Sequence, residues 1–159
     1  MATYNACSLC YDHQLSLLID EAEKIKFDVI GISEAKRESP LIATPTNNMN
    51  IYLGARKTGS TSGGVGFLVA SHLAPRVKKV DFLNHRIATL ELACSSKRSI
   101  TVIQVYTPTS DSDEEDQDEF YNLHLDTIKA TRSFYKIIVG DFNARVAKRR
   151  GNEKFTGPH

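Results

Sequence analysis

The chain has 159 residues, a mass of 17.7 kDa and a formal net charge of +1 from 20 basic and 19 acidic residues. Hydrophobic residues make up 41% of it and charged residues 25%, a composition that excludes a wholly disordered chain or a fibrous repeat. The length suits one domain, and the longest apolar stretch, at 63–70, is far shorter than the ~18–20 residues needed to cross a bilayer.

The cysteine content bears on the cellular compartment. The chain has three cysteines, an odd number, and its N-terminus lacks the basic-then-apolar pattern of a secretory signal. These features argue against a disulfide framework and for a reducing environment. We therefore expect an intracellular protein, nuclear or cytoplasmic, with no membrane association.

The first elements predict a βαβ unit. Residues 2–6 resemble a short strand, residues 27–33 form an apolar run typical of a buried strand, and between them helical spacing links Leu15, Leu18, Ala22 and Ile25. A strand, a helix and a strand within about thirty residues place the ends of both strands at one edge of a sheet. Residues 36–49 are mostly polar and contain two prolines, which predicts a loop.

The middle of the chain predicts a meander of strands. Short turns separate apolar or alternating runs at 50–55, 65–71, 76–82, 86–94 and 99–106. The string S-S-K-R at 95–98 is typical of a hairpin turn. No linker divides the chain into two cores, so we expect a single domain over residues 1–159.

An acidic segment at 111–119 reads D-S-D-E-E-D-Q-D-E and contains seven acids and no base. The rest of the chain therefore has 20 basic and 12 acidic residues, a balance of +8 that is compatible with a polyanionic partner such as nucleic acid. Ser110 or Asp111 can cap a helix here, and acids in a first turn complement the helix dipole. We interpret the segment as a solvated helix start rather than a metal or partner site. The apolar side of that helix would comprise Phe120, Tyr121, Leu125 and Ile128, and residues 136–140 predict a final buried strand.

Polar residues lie at the carboxyl ends of four of the predicted strands, which is where open α/β sheets place their sites: Asn5, Glu34, Tyr106 and Asp141. An acidic residue just past a buried strand is either a solvent-exposed residue that ends the strand or a ligand for a hard cation. In the string G-D-F-N at 140–143, Gly140 allows a close backbone approach. Asp141 and Asn143 lie two residues apart and, in extended geometry, can point the same way.

Four strings in the chain occur in the same order as the motifs of a known family: T-Y-N at 3–5, I-G-I-S-E at 30–34, Q-V-Y-T-P at 104–108 and G-D-F-N-A at 140–144. In these the chain resembles the endonuclease/exonuclease/phosphatase family, which includes exonuclease III, apurinic/apyrimidinic endonucleases and deoxyribonuclease I. Phrases such as D-V-I-G-I-S-E-A-K-R and V-I-Q-V-Y-T-P-T-S-D-S-D-E-E are most similar to the endonuclease domains of non-LTR retrotransposons and to craniofacial-development-protein-2-like proteins. The resemblance implies an α/β fold, a four-layer sandwich of two mixed β-sheets flanked by helices.

The resemblance also implies an activity, a magnesium-dependent endonuclease that acts on the phosphate backbone of DNA, with Mn²⁺ as a possible substitute. Glu34 matches the family's principal magnesium ligand, and Asn5 matches the amide beside it, so Asn5 is expected to be a second metal ligand and a catalytic residue. Asp141 and Asn143 match the pair that positions the attacking water and the phosphate. Tyr106 matches the tyrosine that contacts the phosphate.

Arg86, in the string H-R-I-A-T, matches a residue that faces the substrate in relatives. Its alternative interpretation is a solvated strand end. Two departures from the family pattern stand out. Cys7 occupies a place where relatives usually carry Arg or Asp, and the chain reaches His159 before the family's later aspartate and its terminal Ser-Asp-His. We therefore expect an incomplete domain, truncated at the C-terminal side, that alone binds magnesium weakly and nicks plasmid DNA negligibly.

Two further functions are alternatives. One is a non-catalytic remnant that binds nucleic acid. The other is a thiol redox protein, because C-S-L-C at 7–10 lies between a strand and a helix, where a helix N-terminus favours a thiolate. With His13 this string offers three zinc ligands but no second ligand pair. We expect Cys7 and Cys10 neither to bind zinc nor to cycle as a disulfide.

Overall fold

In a computed structural model of the protein, residues 1–44 and 49–144 are described, and they form two β-sheets and two α-helices. The chain begins with the predicted βαβ unit: strand β1 spans Ala2–Asn5, helix α1 spans Asp12–Glu23 and strand β2 spans Val29–Ser33. Strands β1 and β2 pair in parallel, with Asn5 opposite Ser33. The carboxyl ends of the first two strands therefore meet at one edge, as the sequence predicts.

The first sheet has five strands in the order β1-β2-β5-β4-β3. Its further strands are antiparallel to their neighbours: β3 over Leu41–Ala43, β4 over Asn50–Leu53 and β5 over Gly66–Val69. Strand β3 lies within the predicted loop at 36–49, so that prediction is wrong at 41–43. A three-residue strand is too short to show a period, which is why the sequence pattern did not reveal it. Residues 45–48 of the predicted loop lie outside the described residues.

The second sheet has four strands in the order β6-β7-β8-β9. A 3-10 helix at Ser71–Arg76 leads into it from the first sheet. Its strands are β6 over Val77–Phe82, β7 over Ile87–Ala93, β8 over Ser99–Tyr106 and β9 over Tyr135–Asp141. Strands β6 to β8 form an antiparallel meander, whereas β8 and β9 are parallel, with Tyr106 opposite Asp141. The predicted single meander is thus divided between two sheets, because local alternation does not specify which strands pair.

Three apolar clusters separate four layers. One cluster packs α1 against the first sheet and includes Leu15, Ile19 and Ile32. A second lies between the two sheets, where Phe67 and Leu90 are fully buried. The third packs the second sheet against helix α2, which spans Glu114–Ala130. This arrangement confirms the four-layer α/β sandwich that the resemblance implies.

Several predicted burial patterns differ in the structure. Ile25 lies beyond the end of α1 and is exposed. In α2, Phe120 is buried and Ile128 packs beside it, but Tyr121 and Leu125 are half exposed. Strand β9 is half exposed from Tyr135 to Ile138, because among the described strands it is the outermost of its sheet. Neither α-helix of the described chain is long and apolar enough to cross a lipid bilayer.

Candidate active site

Asn5 connects the two carboxylates that the sequence singles out. At the end of β1, its Nδ2 donates to Glu34 Oε1 at 2.9 Å and to Asp141 Oδ2 at 2.8 Å. Its Oδ1 accepts from the backbone N–H of Cys7 at 2.9 Å, which fixes the orientation of the amide because only the oxygen can accept. The carboxylate oxygens of Glu34 and Asp141 therefore lie within two hydrogen-bond lengths of each other. The structure brings together residues that are 136 positions apart in the chain.

Glu34 follows β2 in a left-handed backbone conformation, with φ of 56°. Non-glycine residues rarely adopt this region, and it is often found at functional sites. Its side chain is 19% exposed, and Oε2 pairs with Lys36 Nζ at 2.8 Å. Burial alone would raise the pKa of Glu34, but hydrogen bonds from Lys36, Asn5 and Tyr106 outweigh burial and lower the pKa below its usual value. Glu34 is therefore ionised at neutral pH, as a cation ligand must be.

Asp141 closes β9 beside the end of β8. Its Oδ1 accepts from the backbone N–H of Asn143 at 3.0 Å, and the backbone N–H of Thr107 donates to its carbonyl at 2.9 Å. The Asn143 amide Nδ2 donates to the Thr107 carbonyl at 2.6 Å, and its backbone is left-handed with φ of 45°. These bonds hold Asp141 and Asn143 at the rim of an open groove of about 670 Å³, which Asn5 also lines.

Tyr106 ends β8 and is 8% exposed. Its hydroxyl lies beside the Glu34 carboxylate, and the interaction between them lowers the pKa of Glu34. Burial and the negative charge of Glu34 raise the pKa of Tyr106, so its proton is retained at neutral pH. A buried tyrosine hydroxyl thus lies against the same carboxylate as Asn5.

Arg86 precedes β7 and is only 8% exposed, so the solvated strand end is not what the structure shows. Its guanidinium lies over the Tyr106 ring, with Cζ 5.3 Å from the ring centroid. Nη1 donates to the Tyr106 carbonyl at 3.3 Å, and Nη2 pairs with Asp116 Oδ2 at 2.7 Å. Its role as a substrate contact stays a prediction.

A buried side-chain pair connects the two sheets just behind the site. Gln104 of β8 is fully buried, and its Nε2 donates to Ser33 Oγ at 2.9 Å. Ser33 directly precedes Glu34, so this bond sets how the end of β2 lies over β8. The site is therefore built from strand ends of both sheets.

The donor chemistry of the site fits a hard cation. Two carboxylates, Glu34 and Asp141, converge, and Mg²⁺ is typically bound through one or two carboxylates, with waters and substrate phosphates as its other ligands. Within residues 1–44 and 49–144, no three His, Cys, Asp or Glu side chains form a complete metal site on their own. The nitrogen of Asn5, not its oxygen, faces the carboxylates, so its role as a magnesium ligand stays a prediction that requires the amide to turn over.

The cysteines of C-S-L-C are free. Cys7 is exposed, and the Sγ of Cys10 lies 3.0 Å from the Lys36 carbonyl, to which it donates. Helix α1 begins at Asp12 with Tyr11 as its cap residue, so neither cysteine occupies the cap position itself. The thiol of Cys10 is therefore hydrogen-bonded to the loop that follows Glu34.

Sequence reasoning missed two charged neighbours of the site. Lys36 lies two residues after Glu34, and its position within E-A-K is the only signal that could have indicated the ion pair. Asp116 lies in the acidic segment, where seven similar acids gave no means of selecting it. The helix cap was also misplaced. Asp113, rather than Ser110 or Asp111, caps α2 by accepting from Asp116 N at 2.7 Å.

Comparisons with solved structures agree with the fold. The crystal structure of AP endonuclease LMAP from Leishmania major superposes with a TM-score of 0.59 at 18% identity, over 98% of this chain and 57% of that one. Humanized D. rerio TDP2, carrying 14 mutations, superposes with a TM-score of 0.57 at 16% identity, over 91% of this chain and 62% of that one. D. rerio TDP2 complexed with a single strand DNA product gives 0.51 at 15% identity, over 82% and 54%. At these identities the likeness shows the fold alone.

Sequence comparisons give the family. Craniofacial development protein 2 of Bos taurus is 26% identical over 134 residues, which are 84% of this chain and 22% of that protein. The chain thus spans about a fifth of this curated relative. Residues 2–157 match the family described as Endonuclease/Exonuclease/phosphatase family. Because that match extends over nearly the whole sequence, the chain belongs to the endonuclease/exonuclease/phosphatase family.

Proposed function

We propose that the chain is a magnesium-dependent phosphodiesterase domain that cleaves DNA as an endonuclease, of the type found in non-LTR retrotransposons. The observation that carries the proposal is the pair of hydrogen bonds by which Asn5 joins the carboxylates of Glu34 and Asp141. Phosphodiester hydrolysis needs a hard cation on oxygen ligands, a positioned water and donors for the charge on phosphorus. Carboxylates that can bind a cation or orient a water converge at this edge with amide and hydroxyl groups that can donate hydrogen bonds.

DNA as the substrate is supported by three observations. The family is one of nucleases and phosphatases, and one similar solved structure holds a single strand DNA product. Outside the acidic segment the chain has an excess of basic residues, as expected for a protein that binds a polyanion. The retrotransposon type is supported by the sequence phrases around Glu34 and Tyr106.

The site residues have proposed roles in binding the metal ion, in proton transfer and in stabilising the charge on the phosphate. Glu34 and Asp141 would hold Mg²⁺, or Mn²⁺ in its place, and the bound ion would supply Lewis-acid stabilisation of the charge on the phosphate. Asp141, oriented by Asn5 and by the Asn143 backbone, lies where it can accept a proton from the attacking water. Tyr106 keeps its proton and can donate a hydrogen bond to a phosphate oxygen.

The ion pair of Lys36 with Glu34 bears on how tightly the site would bind magnesium. One oxygen of Glu34 accepts from Lys36 and the other from Asn5, so both are already neutralised by donors. A dication that enters the site would compete with these donors. We therefore expect modest magnesium affinity.

The test combines a binding and a cleavage measurement on the purified chain. Magnesium binding is measured by calorimetry, and nicking of supercoiled plasmid DNA is measured with protein in excess, so that slow single-turnover cleavage is detected. Glu34→Gln and Asp141→Asn remove one charge each at nearly constant shape. Asp20→Asn, an exposed position on α1, makes the same chemical change away from the site and is the matched control.

We expect weak magnesium binding and nicking that is negligible at catalytic protein concentrations. With protein in excess we expect slow magnesium-dependent cleavage, which both site variants abolish and the control retains. If the source gene encodes a longer chain with a downstream Ser-Asp-His segment, that chain should cleave faster. If Glu34→Gln and Asp141→Asn retain both magnesium binding and cleavage, the proposal is overturned. DNA binding without any metal binding or cleavage would overturn it too and would favour a non-catalytic nucleic-acid-binding domain.

A further inference from the structure

Asp116 differs from the other acids of the segment at 111–119. Its side chain is only 15% exposed, although it lies in the first turn of α2, whereas the neighbouring Glu115 and Asp118 are exposed. A solvated helix start, which explains an acidic first turn through the helix dipole, does not explain a carboxylate that is largely shielded from solvent. Asp116 therefore needs a separate physical account.

The partly buried carboxylate of Asp116 has two cationic partners. Arg86 Nη2 lies 2.7 Å from Oδ2, and Lys57 Nζ lies 3.2 Å from Oδ1. The two partners differ in environment, because the Arg86 side chain is 10% exposed and the Lys57 side chain is 51% exposed. Burial raises the pKa of Asp116, but its hydrogen bonds and ion pairs with Lys57 and Arg86 outweigh that effect and lower it, so the carboxylate is ionised at neutral pH. Of the two ion pairs of Asp116, the one with Arg86 is therefore better shielded from solvent than the one with Lys57.

Arg86 in turn contacts Tyr106 in three ways. The backbone N–H of Tyr106 donates to the Arg86 carbonyl at 2.8 Å, Arg86 Nη1 donates to the Tyr106 carbonyl at 3.3 Å, and the guanidinium lies over the tyrosine ring. The Nε of Arg86 is buried and has no partner among the described residues, so the guanidinium is held by its two terminal nitrogens. Without Asp116, one of these two nitrogens would lose its charged acceptor.

The contacts extend to the site through the tyrosine hydroxyl. This hydroxyl lies beside the Glu34 carboxylate and interacts with it, and Glu34 also accepts a hydrogen bond from Asn5. A ring packed beneath a fixed guanidinium has one orientation, and its hydroxyl therefore has one position relative to the Glu34 carboxylate. Asp116 is thus linked to Glu34 by a series of direct contacts, although it touches neither Glu34 nor Asp141.

We propose that Asp116 is a positioning residue that fixes Arg86 over the Tyr106 ring, and thereby fixes the Tyr106 hydroxyl against Glu34. The role of this hydroxyl in hydrolysis rests on the proposed function. Arg86 then acts through Tyr106 beneath the surface rather than by touching the substrate. The acidic segment supplies this residue as well as the start of a helix.

The test uses Asp116→Asn, which keeps the shape of the side chain and removes its charge. Asp118→Asn is the matched control, because it makes the same change at an exposed position of the same helix. Lys57→Met removes the exposed partner of Asp116 and leaves Arg86 in place. Asp116→Glu, which keeps the charge, is the second variant if Asp116→Asn does not fold.

The kinetic measurement is made in two backgrounds. We expect Asp116→Asn to lower the single-turnover rate constant at saturating protein on the order of 10–100-fold, as a misplaced group near the reacting atoms does. The protein concentration that gives half of this rate should change little. Asp118→Asn and Lys57→Met should leave the rate constant within about two-fold, the size expected of surface changes. In a Tyr106→Phe background, which lacks the hydroxyl, Asp116→Asn should have almost no further effect. An equal loss in both backgrounds would overturn the proposal, because a purely structural role does not depend on that hydroxyl.

A second measurement does not depend on activity. With tyrosine rings labelled with ¹³C, the Tyr106 signal is identified by its absence in Tyr106→Phe. We expect this signal to shift in Asp116→Asn and to stay in place in Asp118→Asn. An unshifted signal in Asp116→Asn would overturn the positioning role. If the chain hydrolyses no DNA at all, the proposed function fails, and the NMR comparison still decides whether Asp116 positions Tyr106.

Discussion

Gly140 lies opposite Val105 where β9 pairs with β8, directly before Asp141. Its φ is 146°, and a Cβ at this position would lie 1.9 Å from the carbonyl oxygen of Val105 and 2.8 Å from its carbonyl carbon. These are backbone atoms, which cannot rotate away as a side chain can. Gly140→Ala therefore requires β9 to move away from β8.

The cost can be worked from this geometry. Ordinary contacts begin near 3.4 Å, so the two strands must separate by roughly 1.5 Å. Such a movement weakens about two backbone hydrogen bonds, worth about 0.5–1.5 kcal/mol each, and the unfavourable φ adds about 1–2 kcal/mol. We expect Gly140→Ala to lower the free energy of unfolding by about 2–5 kcal/mol. For a chain of this length that corresponds to a fall in Tm of about 2–4 °C per kcal/mol.

The same movement displaces Asp141 from the Asn5 amide. A misplacement of about 1 Å can cost on the order of 100-fold in rate, so magnesium-dependent cleavage should fall by at least that factor. Stability is measured by urea denaturation and activity by single-turnover nicking. Gly59→Ala is the matched control, because Gly59 has φ of 73° in an exposed turn with no atom within 4 Å of the added Cβ. Equal losses of stability in Gly59→Ala and Gly140→Ala would refute the reasoning about β9.

Three other outcomes are expected. The lowered pKa of Glu34 stabilises the fold above its unfolded pKa, and this contribution is lost as the pH falls through its lower folded pKa. Lys36→Met should therefore cost about 1 kcal/mol at pH 7 and progressively less in more acidic solution, measured by denaturation across a series of pH values. Phe67→Ala, in the fully buried layer between the sheets, should cost about 3–5 kcal/mol in urea denaturation, and a loss below 1 kcal/mol would contradict the packing described. Cys7 should react with iodoacetamide faster than Cys10, whose thiol donates to a carbonyl, and purified protein should contain no stoichiometric zinc.

The sequence specified strand ends better than strand partners. It placed Asn5, Glu34, Tyr106 and Asp141 at the carboxyl ends of strands because runs of apolar residues stop visibly at these points. Convergence at one edge followed from parallel pairing, which the structure shows for β1 with β2 and for β8 with β9. The division of the middle strands between two sheets could not be predicted from the sequence pattern, since it depends on contacts between distant segments.

Other parts of the site depend on long-range contacts that no local pattern encodes. The pair of Arg86 and Asp116 joins residues 30 positions apart, and nothing in the acidic segment distinguishes the buried acid from the exposed ones. The amide of Asn5 was expected to offer oxygen to a cation, but its orientation is set by the backbone N–H of Cys7. Exposure of Tyr121 and Leu125 likewise depends on how much of α2 the second sheet covers.

The hydrogen bond between Asn5 and Asp141 has a consequence for synthesis of the protein. These residues are separated by 136 positions, so at translation rates of about 5–20 residues per second Asp141 is made roughly 7–27 s after Asn5. During that interval a nascent chain can form the βαβ unit and the first sheet from nearby segments, but it holds only one of the two carboxylates. The pair of carboxylates would therefore be completed in a single late step, when β9 joins β8, and incompletely translated chains would lack the site on which the proposed function depends.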